Sequence, residues 1–224
     1  MARLVDLTLA IGPGTPGPPS VPTRLELEHF HRGPGFWQSS RVSMLLHTGS
    51  HVDFSKHCRA DGETAADVAL DRTWGDAVLV DVGELEPSQP ITVELLERHA
   101  PEIRPGDITL VRTGWSDRMW GDFPAYFLTS PYCSAEAVRW LAATGAKAVG
   151  FDCFSEYSAR LPDFGSEDFV VHKTVLDAGA VLMQQLTNLD ALPRGERFEF
   201  FAAFPKLREA EGVPARFFAR LTDR

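Results

Sequence analysis

Hydrophobic positions along the chain form short continuous runs as well as longer stretches with a helical period. Three runs rich in Val, Ile and Leu, each bounded by Gly, Pro or Asp, occupy residues 77–82, 107–113 and 146–152. Continuous apolar runs of this length are typical of strands that are buried on both faces. A further strand is predicted at residues 4–9, and two more where aromatic and small residues alternate, at 198–207 and 214–221.

Helical patterns separate these runs. Residues 92–100, 134–145 and 166–179 each begin with Ser or Thr, and the last two stretches end with Gly. Ser and Thr accept hydrogen bonds from the free N–H groups of a first helical turn, and Gly takes the left-handed conformation that often closes a helix. The alternation of strands with helices predicts an α/β fold.

The segment of residues 12–22 has a composition of its own, because five of its eleven residues are proline. Proline fixes φ and lacks the backbone N–H, which predicts an irregular arm rather than a helix or a central strand. At 224 residues the chain is long enough to bury one sizeable core. We therefore expect a single domain over residues 1–224 that carries this proline-rich arm.

Charge and composition exclude several classes of partner. The formal net charge is -9, and Lys and Arg gather in no single segment, which argues against a nucleic-acid partner. No apolar stretch approaches the roughly 20 residues that cross a bilayer, and the N-terminal apolar run is too short for a secretory signal. Three widely spaced cysteines suit reduced thiols. We expect a cytoplasmic protein without a membrane partner.

The stretch HTGSHVDFSKH, residues 47–57, concentrates three of the seven histidines and one aspartate. Imidazole and carboxylate together suit zinc, manganese or iron. A regular strand would place His47 about 13 Å from His51, and a regular helix would point Asp53 away from both. Gly49 can adopt backbone conformations closed to other residues. We therefore predict a bend at Gly49 and then a short strand, so that His47, His51 and Asp53 meet at one ion.

His57 lies further along the same predicted strand, beyond the distance for ligation. Histidine titrates near neutral pH, so this position suits a group that takes and returns a proton during hydrolysis. The alternative for each histidine is a purely structural role. Cys58 is either a thiolate ligand or a small packed residue, and packing is favoured because soft sulfur is an uncommon companion of a carboxylate ligand.

The histidine segment resembles the signature of the cyclase family of metal-dependent hydrolases, which includes bacterial kynurenine formamidases and isatin hydrolases. That pattern reads His, any, Gly, Thr, His, any, Asp, any, Pro, any, His; here Ser50 takes the threonine position and Ser55 the proline position. The resemblance extends over nearly the whole chain, through VDLTLAI, GDITLVRTGW, WLAATGAKAVGFDCFS, VHKTVLDAGAVLMQQLTNLDAL and FFAAFPKLREAEGVPARFFARL. It implies a swivelling β/β/α fold, with a central mixed sheet or open barrel and flanking helices, and a homodimer or homotetramer.

The resemblance also implies roles for the motif residues. His47, His51 and Asp53 are expected to bind the metal ion, and His57 is expected to act as the general acid/base. No serine lies in the G-x-S-x-G turn of a serine hydrolase, so no nucleophile from the protein is expected.

Two later residues bear on the number of ions. His172 matches a histidine that holds a second zinc in the formamidases, and Gln184 matches the glutamate that bridges their two zincs. A neutral amide cannot supply the charge that bridges two dications. We therefore expect one ion, Mn²⁺ or Zn²⁺, with Gln184 among its ligands, as the isatin hydrolase branch implies, and His172 free to contact the substrate.

The arm departs from the formamidases, which resemble one another in a tryptophan near their first proline-rich loop. Residues 12–22 contain no aromatic residue. Phe36 and Trp37 are predicted to supply an aromatic wall for the substrate instead, together with Phe54, which lies between metal-motif residues. The alternative for all three is a place in the hydrophobic core.

These features predict a metal-dependent hydrolase of a small cyclic amide, a lactone or an aryl amide. One alternative is a cyclase or dehydratase of a polyketide-like metabolite, in which the ion would stabilise an enolate. The other is a family member that binds a metal ion or a ligand without catalysis.

Overall fold

A computed structural model describes residues 2–222; of the single domain predicted over 1–224, residues 1, 223 and 224 lie outside the described residues. The strands are β1 (Ala2–Asp6), β2 (Glu26–His31), β3 (Gln38–Ser43), β4 (His51–Asp53), β5 (Trp74–Asp81), β6 (Pro90–Ile91), β7 (Ile108–Arg112), β8 (Tyr132–Cys133), β9 (Ala148–Phe151), β10 (Val181–Gln184), β11 (Phe198–Ala203), β12 (Gly212–Pro214) and β13 (Arg216–Thr222). The helices are α1 (Val93–His99), α2 (Trp115–Met119), α3 (Ala125–Leu128), α4 (Ala135–Ala143) and α5 (Val170–Asp177).

Nine of these strands form one mixed sheet in the order β1-β13-β11-β5-β7-β9-β10-β4-β12. The pairs β5 with β7, β7 with β9 and β9 with β10 are parallel, and the pairs on either side of them are antiparallel. The predicted α/β class with a central mixed sheet is confirmed, and the three continuous apolar runs form β5, β7 and β9.

Alternate side chains of the central strands enter two different cores. Val80 and Val149 pack among the residues of α1, α4 and α5. Leu79, Leu110 and Ala148 point the opposite way, into a second core that the curled sheet and its antiparallel strands enclose. Both faces of these strands are therefore apolar, which explains why the sequence shows continuous runs rather than alternation.

The predicted helix starts have different outcomes. Thr92 and Ser134 cap α1 and α4, where their hydroxyls accept hydrogen bonds from Leu95 N (3.3 Å) and Ala137 N (3.2 Å). The prediction for Ser166 is wrong, because that residue begins a single 3₁₀ turn and α5 starts only at Val170.

The N-terminal arm is irregular over residues 12–22, as its prolines predict. It leads into a two-stranded hairpin, β2 with β3, which stands apart from the main sheet and has every residue of both strands exposed. No helix within residues 2–222 has the length and apolar character needed to cross a membrane.

Candidate metal centre

The predicted bend at Gly49 is present. Gly49 has a φ of +67°, and a Cβ atom there would lie 2.4 Å from Ile11 Cγ2, so both the conformation and the space favour glycine. The next residue holds the bend in place, because Ser50 Oγ donates a hydrogen bond to Gln185 O (2.6 Å) and accepts one from Leu9 N (2.9 Å). Strand β4 follows, as predicted, and carries His51 and Asp53.

The bend brings the three motif side chains together inside the protein. His47 Nδ1 lies 2.8 Å from Asp53 Oδ1, and His51 Nε2 lies 3.5 Å from the same oxygen. All three residues are buried, and one ligand atom from each lies within 4.8 Å of the others. Two imidazoles and one carboxylate at this separation are a donor set for a divalent transition metal.

Strand β10 and helix α5 add two further groups. His172 Nε2 lies 3.4 Å from Asp53 Oδ2. Gln184 is paired with His51 across the sheet, and its Nε2 donates a hydrogen bond to Ser155 Oγ (2.7 Å). This hydrogen bond fixes the orientation of the amide and leaves Gln184 Oε1 buried without a hydrogen-bond partner.

Two buried oxygen atoms without hydrogen-bond partners indicate whether the site suits a cation. Asp53 Oδ2 has no hydrogen-bond partner of good geometry, and Gln184 Oε1 has none. An unsatisfied buried oxygen is costly, because the group has lost water without gaining a donor. A divalent ion would satisfy both oxygens, so the residues present fit such an ion.

The buried carboxylate of Asp53 dominates the electrostatics. Burial alone would raise its pKa, but the neighbouring His51 and His47 hold the pKa of Asp53 well below its usual range. Burial alone would lower the pKa of His47, but the charge and hydrogen bond of Asp53 outweigh it and raise that pKa to about 10. In the metal-free protein the Asp53 carboxylate therefore favours a proton on His47. A metal ion bound there would replace that proton.

His57 has the opposite tendency. It lies in a 3₁₀ turn, Ser55–His57, because β4 ends at Asp53, so the strand that was predicted to carry it is wrong. Its ring nevertheless faces the site, with centroids 4.4 Å from His47 and 5.3 Å from His172. Burial lowers the pKa of His57 to about 4, so its ring is neutral at neutral pH.

Two glutamates lie at the site although the sequence did not predict them there. Glu156 accepts hydrogen bonds from His172, and Glu211 Oε1 lies 3.1 Å from His47 Nε2. Glu156 follows the carboxyl end of the parallel strand β9, where sites of open α/β sheets commonly form, and that signal could have found it. Glu211 precedes β12 in a polar loop that offers no comparable signal.

A cavity of about 320 Å³ opens onto these residues. We call its polar side the floor, formed by His47, His51, His57, His172, Gln184 and Glu211, with Asp53 buried behind them. We call its apolar side the wall, formed by Pro18, Val21, Leu45, Phe154, Phe164 and Phe169. The proline-rich arm therefore covers part of the cavity. A larger open groove near β5 and β13, of about 830 Å³, is lined by mixed charged and apolar residues and lies apart from this floor.

The aromatic residues predicted for the wall lie elsewhere. Phe36 and Trp37 follow β2 in the connection to β3, where they are 86% and 52% exposed, because the hairpin projects from the body of the chain. Phe54 is 1% exposed and packs on Phe204 in the second core. Side chains alternate along a strand, so the neighbours of Asp53 point into the core rather than into the cavity.

Comparisons with known proteins agree with this geometry. The model of a family described as "Putative cyclase" matches residues 5–156. The kynurenine formamidase of Erythrobacter litoralis is 29% identical over 182 residues, which cover 80% of this chain and 76% of that protein. The kynurenine formamidase of Bacillus cytotoxicus is 24% identical over 203 residues, which cover 91% and 90%.

Two solved structures share the fold over nearly the whole chain. Isatin hydrolase A from Labrenzia aggregata, bound to benzyl benzoate, has a TM-score of 0.80 at 26% identity and covers 99% of this chain and 94% of its own. An isatin hydrolase bound to the product analogue thioisatinate has a TM-score of 0.84 at 21% identity, with coverage of 99% and 93%. The second likeness concerns the fold alone.

Proposed function

The chain belongs to the putative cyclase family, and from this premise we propose that it is a metal-dependent hydrolase of a small aryl amide, cyclic amide or lactone. The observation that carries the proposal is the convergence of His47, His51 and Asp53, with both imidazoles on the floor of the cavity and Asp53 directly behind them. The relatives named kynurenine formamidase and isatin hydrolase support the same class of reaction.

The metal ligands are assigned to four residues. His47, His51 and Asp53 supply two nitrogens and a carboxylate, and Gln184 supplies its unpaired Oε1. A divalent ion held by these groups would lower the pKa of a water molecule and polarise the carbonyl group of a substrate. Since an amide oxygen lacks the charge that bridges two dications, we assign one ion, Mn²⁺ or Zn²⁺.

His57 is assigned the proton transfer. Its ring lines the cavity beside His47 and His172, and a neutral imidazole there offers a lone pair to a proton. We assign to it the proton of the attacking water, which it then donates to the departing nitrogen or oxygen. His172 lines the cavity next to His57, a position from which it can contact the substrate.

The wall indicates the kind of substrate. Three phenylalanines, Phe154, Phe164 and Phe169, together with Val21 and Leu45, form a surface on which an aromatic ring packs well. Among the described residues that line the cavity, none is Lys or Arg, so no ammonium or guanidinium group is placed to bind a substrate carboxylate. This lining favours an uncharged aromatic amide or ester.

The proposed reaction is tested by incubation in ¹⁸O-labelled water with N-formyl anilines, aryl lactams and aryl lactones. Hydrolysis predicts one labelled oxygen in the acid product, and product without the label would favour a cyclase or dehydratase. Absence of any turnover in protein that carries its metal ion would favour a binding protein without catalysis.

We also propose a homodimer or homotetramer, a single domain over the chain, and a cytoplasmic location. The exposed hairpin supports the first point, because an isolated two-stranded sheet is marginally stable in water and its Leu27, Phe30 and Val42 are exposed for contact with a second copy. The three cysteines are free in the structure, which is consistent with a reducing compartment. Sedimentation analysis tests the assembly.

A further inference from the structure

Three imidazoles of the floor share one arrangement, in which one ring nitrogen meets an oxygen acceptor and the other faces Asp53. His51 Nδ1 meets the backbone oxygen of Gly49 at 2.7 Å. The acceptor for His47 Nε2 is Glu211, and the acceptor for His172 Nδ1 is Glu156. Carboxylates and backbone carbonyls only accept hydrogen bonds. Once an ion takes the nitrogen that faces Asp53, the remaining hydrogen of each such ring must therefore lie on the nitrogen that meets this acceptor.

From this arrangement we infer that Glu211 and Glu156 are positioning residues. Glu211 fixes the tautomer of His47 so that its free nitrogen faces the metal ion, and Glu156 fixes the tautomer of His172, whose other nitrogen faces Asp53. The opposite nitrogens already face the two oxygens of Asp53, His47 Nδ1 at 2.8 Å and His172 Nε2 at 3.4 Å. The inference rests on the proposed function only in assuming that the floor binds an ion. It adds two residues that act through the histidines and need not touch the substrate.

Glu156 is held rigidly for this task. It is buried, and its Oε1 accepts hydrogen bonds at 2.9 Å from both the backbone N–H and the side-chain Nδ1 of His172. The first hydrogen bond ties the carboxylate to the start of α5, and the second sets the angle of the ring on the same helix. A glutamine here could present either an acceptor or a donor to Nδ1, so it would not specify the tautomer.

Glu211 reaches the site through strand pairing. Its backbone oxygen accepts a hydrogen bond from Phe54 N (2.9 Å), and the next residue, Gly212, pairs with Asp53 across β12 and β4. A Cβ atom on Gly212 would lie 2.5 Å from His47 Cε1, so the ring rests directly on the backbone beside Glu211. The Glu211 side chain is 35% exposed, which makes it the easier of the two to change without loss of folding.

A ligating histidine needs one specific tautomer because of the way imidazole binds a metal ion. A histidine binds a metal through a nitrogen that carries no hydrogen, so a ring in the wrong tautomer turns an N–H toward the cation. Carboxylate partners of ligating histidines raise the basicity of the ring and hold its orientation, and their loss typically costs about 10- to 100-fold in metal affinity.

The test compares Glu211→Gln and Glu156→Gln with Glu209→Gln, which removes the same charge from an exposed position in the same loop as Glu211. Zn²⁺ and Mn²⁺ affinities of the metal-free chains are measured by competition with a chromogenic chelator. We expect the dissociation constant to rise about 10- to 100-fold in Glu211→Gln, because His47 is an assigned ligand. It should change less than about twofold in Glu156→Gln and in Glu209→Gln, and the role of Glu156 is read from the tautomer of His172.

A second readout separates positioning from simple charge. Long-range ¹H–¹⁵N correlation spectra of the zinc-loaded chains report which nitrogen of each histidine carries the hydrogen. We expect one tautomer for His47 and His172 in the parent chain, and mixed or exchange-broadened signals for the affected ring in each glutamine variant. Glu211→Asp keeps an acceptor and should recover part of the affinity, and Glu156→Asp should recover part of the single tautomer of His172. Circular dichroism of Glu156→Gln checks its folding, and Glu211→Gln carries the test if that variant unfolds.

Unchanged affinity and unchanged tautomers in a folded Glu211→Gln protein would overturn the inference. Equal weakening in Glu209→Gln would also overturn it, because the effect would then be one of net charge. These outcomes are independent of the proposed reaction: a parent chain that binds the ion but hydrolyses nothing would contradict the function and leave the positioning roles intact.

Discussion

The floor and the wall of the cavity are built in different ways. Every histidine of the floor has a polar partner or a neighbouring ring within the site. Most residues of the floor lie in or beside β4, β10, β12 and α5. The wall is apolar, and its Pro18 and Val21 come from the irregular arm. Hydrogen-bonded elements therefore hold the groups proposed to react, whereas loop residues form much of the surface proposed to contact the substrate, as is common where a rigid scaffold carries variable loops.

The largest effect is expected for His57 on the floor. Replacement by Ala removes the proton carrier, and we expect kcat to fall roughly 100- to 10,000-fold. The bound metal should remain, because the assigned ligands are untouched. Turnover and metal content of the purified variant are the measurements, with the exposed His99→Ala as the matched control. Loss of the ion together with activity would instead identify His57 as a ligand.

The next substitution changes the number of metal ions that the floor can bind, without removing any of its side chains. Gln184→Glu supplies the charge that can bridge two dications, and Ser155 Oγ, now the acceptor for Gln184 Nε2, can donate to the new carboxylate. We expect the metal content to rise from one ion per chain toward two. Elemental analysis checks this, with the exposed Gln38→Glu as the control. A ratio of one in both variants would refute our reason for a single ion.

The floor was far easier to predict from the sequence than the wall. His47, His51 and Asp53 lie within seven residues, so local geometry and one glycine bend were enough to bring them together. Glu211 is more than 150 residues away from them and reaches His47 only because β12 pairs with β4. Such strand pairing cannot be worked out from local pattern.

The residues of the wall were also hard to predict from the sequence, because the wall is assembled from segments that are far apart along the chain. The sequence suggested Phe36 and Trp37 in place of the aromatic residue that the arm lacks, yet both lie exposed in the connection between β2 and β3, away from the cavity. The residues that do form the aromatic surface, Phe154, Phe164 and Phe169, come from segments over 130 residues beyond the arm. The mixed sheet and most of its strands, by contrast, followed directly from apolar runs.

A smaller effect is expected at the wall. Phe164→Leu removes ring contacts but none of the reactive groups, so kcat/KM for an aryl amide should fall by about 10-fold, within the range for small changes in an apolar pocket. An alkyl amide should be affected much less. Phe36→Leu is the control and should leave the selectivity unchanged. If Phe36→Leu shifts the selectivity as much as Phe164→Leu, the wall includes the hairpin of a second copy.

The smallest effect concerns the pH dependence of the metal-free protein. Burial works against protonation, but Asp53 raises the pKa of His47 to about 10, and Asp53 and Glu156 raise that of His172 to about 9. The contribution of these two histidines to the free energy of unfolding is therefore fully present below about pH 6.5. It is lost as the pH rises through their raised pKa values of about 9 to 10. His57, with its lowered pKa, acts oppositely, and its contribution is lost as the pH falls from 6.5 toward 4.

In chelator, the melting temperature should therefore be highest near pH 6.5 and fall by several degrees toward pH 9.5, since each kcal/mol changes it by about 2–4 °C at this chain length. The gain from added Zn²⁺ should grow over the same range, because the ion competes with protons for the rings. Phe164→Leu should keep this pH profile, since the wall does not titrate. A flat profile in chelator would contradict the charge balance assigned to the floor.

The most direct measurement is an anomalous difference map from crystals of the protein loaded with Mn²⁺ or Zn²⁺. We predict one strong peak per chain, within about 2.0–2.3 Å of nitrogens from His47 and His51 and an oxygen of Asp53, and close to Gln184 Oε1. A peak at another site, or no peak beside these side chains at saturating metal, would contradict the account.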